Sequence, residues 1–82
     1  MIFKRFFLQK TRYPELFTTL DSRFNEIIVD IVFELDQEFQ TWEPILWWSS
    51  AIVDDTEIEL SNLLTQSCIY KLLKTEKDNN YV

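Results

Sequence analysis

Between Leu16 and Trp42 the apolar residues Leu16, Phe17, Leu20, Phe24, Ile27, Ile28, Ile31, Leu35, Phe39 and Trp42 recur largely at gaps of three and four. That spacing is what one face of an α-helix requires. Pro14 suits an early helical position, so the pattern predicts a helix over residues 14–41. Asp21 can cap a fresh start within it, leaving one long helix or two broken near Leu20 to Ser22. Pro44 opens a second, short helix over 44–53, with Ile45, Leu46, Trp47, Trp48, Ala51, Ile52 and Val53. A third is predicted over 55–74. Asp54 or Asp55 can cap it, Thr56 and Glu59 have capping-box spacing, and Lys71 and Lys74 suit its C-terminal dipole. Residues 1–12 read as a basic, aromatic arm and 77–82 as a frayed polar tail. The expected architecture is a single all-α domain, a small three-helix bundle.

A rival pattern runs through the same residues. Ile27-Ile28-Val29-Asp30-Ile31-Val32-Phe33-Glu34-Leu35 is rich in β-branched side chains and partly alternates, and Glu57-Ile58-Glu59-Leu60 alternates after a candidate Asp54-Asp55 turn. This gives an α+β alternative with a short antiparallel hairpin or sheet. The chain has no glycine, and tight hairpins and bulges rely on residues that tolerate positive φ. On that ground the helical reading is preferred.

Composition narrows the class. With 46% apolar and 16% aromatic residues in 82 positions, a packed core is expected despite a net charge of −6. The uncharged runs Pro44 to Val53 and Leu60 to Tyr70 fall short of the roughly 20 apolar residues that span a bilayer. The first residues mix charge with apolar side chains and show no signal-peptide core. A single cysteine, Cys68, permits no internal disulfide and fits a reducing, cytoplasmic setting.

Charge is divided sharply. Tyr13 to Asn62 carries twelve carboxylates and one base, Arg23, whereas the first twelve residues carry Lys4, Arg5, Lys10 and Arg12 and no acid. An acidic chain is repelled by nucleic acid phosphate and by anionic lipid, so neither a direct nucleic-acid nor a membrane partner is expected. The natural partner is the basic surface of a protein.

Catalytic chemistry has little to work with. Histidine is absent, which removes the usual general base and the commonest transition-metal ligand. Phosphate-cradling loops need glycine. Cys68 lies between Ser67 and Ile69 with no base nearby in sequence and reads as a core residue. Asp54-Asp55-Thr56-Glu57 is the densest oxygen cluster and reads as a solvated helix start. No enzyme activity, cofactor or metal is expected.

Binding candidates remain. On the predicted long helix Glu26, Asp30 and Glu34 form an acidic line, bordered by Val29 and Phe33. Adjacent Trp47 and Trp48 cannot both enter one core site of a helix, so an exposed tryptophan is expected there. Asp54, Asp55 and Glu57 extend the acidic surface. The expectation is a small acidic, non-enzymatic binding protein engaging a basic groove on a protein partner. Stoichiometric inhibition of a nucleic-acid-handling enzyme, as an anti-defence nucleic-acid mimic, is its most concrete form. The alternative is an assembly factor or structural subunit with a tryptophan-rich apolar interface, and a homodimer fits the same tryptophans.

Overall fold

Residues 26–36, the centre of the predicted long helix, form a β-strand. The computed structural model describes the backbone of residues 1–79 and the side chains of residues 1–75. In chain order the elements are β1 (Ile2–Gln9), a short 3-10 helix (Pro14–Phe17), β2 (Glu26–Asp36), β3 (Thr41–Val53), β4 (Thr56–Glu59) and α1 (Asn62–Asn79). The strands make one antiparallel sheet in the order β1-β2-β3-β4. The all-α three-helix bundle is therefore overturned, and the α+β alternative describes the molecule.

The helical expectation failed for two physical reasons. First, β2 is an inner strand and is apolar on both faces: Ile27, Val29 and Ile31 point one way, Ile28 and Val32 the other. A run apolar on both sides contains helix-spaced subsets by default, so periodicity cannot separate the two structures. Second, the turns do without glycine. Asp54 and Asp55 take φ of 51° and 62° between β3 and β4, and Gln40 takes 55° between β2 and β3. Two consecutive positive values suit the two-residue hairpin connection, and aspartate enters the left-handed region more readily than most residues.

The remaining boundaries shift accordingly. The basic arm is β1, and its aromatics follow the sheet's alternation. Pro14 opens one 3-10 turn. The predicted 44–53 helix lies within β3, where Pro44 is tolerated beside a register shift at Val32/Phe33 that leaves Ile45 unpaired. The Thr56 and Glu59 capping box does not form, because both residues lie in β4. The C-terminal helix starts at Asn62 instead, where the Ser61 hydroxyl accepts the Leu64 N–H at 3.4 Å. It continues to Asn79, past the expected end at 74. The rest of the tail expected at 77–82 lies outside the described residues.

α1 and the 3-10 segment pack on one face of the sheet. Leu8, Ile27, Val29, Ile31, Ala51 and Val53 from the strands meet Tyr13, Leu16, Phe17, Phe24, Cys68, Ile69 and Leu72 in one core. Two polar ties fix the helix. The Thr65 hydroxyl donates to the Ser61 carbonyl at 3.0 Å and lies 2.7 Å from the Ser49 hydroxyl, which donates to it in turn. On the surface Lys71 pairs with Glu15 at 3.1 Å. The long β2–β3 hairpin makes the molecule elongated, with a radius of gyration of 13.7 Å against about 12 Å for a compact chain of this length. Among the described residues no helix is long and apolar enough to cross a membrane.

Candidate functional site

Strand alternation decides what the second face of the sheet carries. The register pairs Phe7 with Ile28, Arg5 with Asp30 and Phe3 with Val32. It then pairs Asp30 with Trp48 and Val32 with Leu46, and Ser50 with Glu59 and Ile52 with Glu57. All of these lie on the side away from α1, which no element covers among the described residues. Phe3, Phe7, Leu46 and Ile52 are each more than half exposed there. Half-buried Trp48 leans against Phe3 with ring centroids 6.1 Å apart. A contiguous apolar face of this kind marks an interaction surface more often than a solvated one.

At its centre lies an ion pair. Asp30 is 1% exposed and accepts two hydrogen bonds from Arg5, from Nε at 2.7 Å and from Nη2 at 3.0 Å. These bonds and the carboxylate's charge raise the Arg5 pKa further above its ordinary value, against a smaller desolvation, with Glu57 adding through its field. The planar fork of Arg5 locks β1 to β2 on the uncovered side.

Acids surround the apolar centre. Glu34 and Glu43 stand directly opposite one another on β2 and β3, an arrangement that repels across the pair. Thr41 donates to Glu43 at 3.0 Å, and Glu26 accepts from Gln9. Glu57 and Glu59 line the β4 edge, where they form a cleft of about 330 Å³ with Trp48 and Ser50. Ser50 in its floor is 3% exposed, and among the described residues its hydroxyl has no hydrogen-bond partner. Arg23 bridges Asp21 and Asp54 at 3.2 and 3.1 Å beside the β3–β4 turn.

No family model, curated protein or solved structure matches this chain. The assignment of the face accordingly rests on its geometry.

The structure divides the candidate residues of the sequence. It brings Glu26, Glu34, Trp48 and Glu57 to the open face. Asp30 shares that face but is buried and neutralised by Arg5, so it presents no free charge to a partner. Val29 is fully buried in the core, and Phe33 and Trp47 are partly buried on the α1 side, packed against it. Lys4 sits 6.0 Å from the Phe33 ring centroid. Asp54 and Asp55 form the β3–β4 turn at the margin of the sheet. The helical expectation that Glu26, Asp30 and Glu34 share a side survives, because residues four apart also lie on one side of a strand.

Sequence reasoning missed Phe3, Phe7, Leu46, Ile52 and Ser50 as members of the face. The alternation Glu57-Ile58-Glu59 was the available signal for the acidic pair. Nothing local in the sequence shows which side of the sheet α1 leaves bare. Among the described residues no group of three or more carboxylate or thiol side chains is arranged to hold a metal ion. Cys68 is buried, and desolvation pushes its thiol up to about 11, which disfavours the nucleophilic form.

Proposed function

We propose that this chain is a non-enzymatic binding protein that docks its open sheet face on a basic protein surface, by an apolar centre within an acidic rim. The observation that carries this reading is the coincidence of Phe3, Phe7, Leu46, Trp48 and Ile52 with Glu26, Glu34, Glu43, Glu57 and Glu59 on one uncovered face. Interfaces commonly have an apolar core and a polar rim. Here the apolar side chains supply contact area, and the unbalanced negative rim supplies steering and selects cationic partners. Of the acids and tryptophans named from the sequence, Glu26, Glu34, Glu57 and Trp48 share this face, which supports the reading, whereas Trp47 lies on the α1 side.

Charge complementarity chooses the occupant. Stacking two copies face to face would bring acidic rims together, so a basic partner suits the face better than a second copy of this chain. A nucleic-acid-handling enzyme offers such a surface. Pure mimicry of nucleic acid fits less well, because the centre of the face is aromatic and aliphatic instead of a continuous row of charge. The lone buried thiol accords with a cytoplasmic setting.

The test is capture of partners from the native cytoplasm by the tagged chain, by Phe7→Ser/Ile52→Ser, and by Leu63→Ser as a control on the helix surface. The reading expects a basic protein held by the wild type and the control, lost by the double variant, and bound more slowly as salt rises. Capture unaffected by the double variant would remove the open face as the site. Salt-independent self-association through that face in sedimentation would replace the basic partner by a second copy.

A further inference from the structure

We infer that the cleft between β3 and β4 is an arginine-recognition site, whose Trp48, Ser50, Glu57 and Glu59 together take one guanidinium group from the partner. This rests on the open face being the docking surface and names the side chain that its β4 end reads.

The strand register builds the cleft. Ser50 faces Glu59 directly, Ile52 faces Glu57, and Trp48 precedes Ser50 on the same side. Glu57 and Glu59 are exposed, and among the described residues neither forms an ion pair. Carboxylates two residues apart on one strand have backbone origins about 6.7 Å apart. A planar guanidinium, with donors on opposite edges and charge-assisted bonds of about 2.8 Å, can bridge that distance. Trp48 stands beside them with its indole steadied by Phe3, offering a face on which the guanidinium plane can stack.

Ser50 supplies the independent evidence. The residue lines the cleft, and its hydroxyl is buried and, among the described residues, has no hydrogen-bond partner. Buried polar atoms are nearly always paired, and a hydroxyl accepts as well as donates, so this oxygen can take a donor that enters from the cleft. A guanidinium has five N–H donors, enough to satisfy two carboxylates and a hydroxyl at once. A lysine ammonium has three donors, holds its water more tightly and cannot stack. A divalent cation would find only two carboxylates and one neutral hydroxyl. Arg5, which feels the charge of Glu57, is committed to Asp30.

The experiment titrates the full chain with N-acetyl-argininamide and follows the Trp48 indole N–H by NMR, assigned through Trp48→Phe. N-acetyl-lysinamide and the uncharged N-acetyl-citrullinamide serve as comparison probes. The expected result is a saturable shift with the arginine compound, a response roughly tenfold weaker or more with the lysine compound, and none with citrulline. Ser50→Ala and Glu57→Gln/Glu59→Gln, each checked for an unchanged amide spectrum, should both weaken the arginine response. Equal responses to arginine and lysine, a shift that never saturates, or full binding by folded variants would overturn the assignment. If arginine fails while capture still depends on Phe7 and Ile52, only this inference falls. If arginine binds as stated while capture ignores the open face, the cleft stands and the docking surface falls.

Discussion

Arg5 and Asp30 face each other across β1 and β2 and close a two-bond ion pair on the side of the sheet that α1 leaves bare. The carboxylate is buried although its face is open, because Arg5 and the surrounding apolar side chains cover it. Arg5→Ala is therefore expected to lower the urea midpoint strongly by stranding a buried charge, whereas Arg5→Met/Asp30→Leu recovers much of the loss. Equal midpoints for Arg5→Ala and the wild type would show that the pair does not lock the strands.

The β3–β4 turn carries a local conflict. Asp54 and Asp55 both have positive φ, a region disfavoured for residues with a Cβ by roughly 1–2 kcal/mol, less for aspartate. Asp55→Gly should raise stability by about 0.5–1 kcal/mol in denaturant unfolding. Asp55→Val should lower it by a comparable amount or more. Asp54 is left in place because it accepts from Arg23.

The buried hydroxyl pair Ser49 and Thr65 ties β3 to α1 at 2.7 Å. Thr65→Val removes the acceptor for Ser49 and should cost about 1–3 kcal/mol in unfolding free energy. Ser49→Ala/Thr65→Val should cost less than the sum of the single changes. Additive losses in this cycle would mean the two hydroxyls do not interact.

Cys68 gives a pH dependence with a definite sign. Its folded pKa is raised to about 11 from 9.0 by burial, so its contribution is intact below the unfolded value and is lost as pH rises from about 9 to 11. Stability should fall over that window, and Cys68→Ala should flatten the slope. Thiol labelling near pH 8 should be slow in the native protein and fast in urea.

Glu15 acts in the opposite direction. Its own backbone N–H and the Lys71 ammonium hold its carboxyl below the ordinary glutamate value, so its stabilising effect is present above that value and declines as pH falls through the lower folded pKa. Glu15→Gln should lessen the acid sensitivity of unfolding, and an unchanged acid limb would exclude this contact as a contributor.

Particular residues show what could be read in advance. The acids, the absence of histidine and the single thiol were legible because they are matters of count. So was the same-side placement of Glu26, Asp30 and Glu34, since residues four apart share a face in helix and strand alike. The run from Ile27 to Phe33 was ambiguous because a strand buried on both faces has no period of its own.

Composition by itself determined that this chain has enough apolar residues for a packed core, carries excess negative charge between Tyr13 and Asn62, and has no histidine. Only tertiary structure decided that Val29 is core while Trp48 lies on the open face, that Asp30 is neutralised by a residue of the N-terminal strand, and that Ser50 is buried without a partner among the described residues. Those outcomes depend on strand pairing between residues far apart in the chain and on which sheet face α1 covers. A local pattern holds neither, because one step of register moves every side chain of a strand to the opposite face.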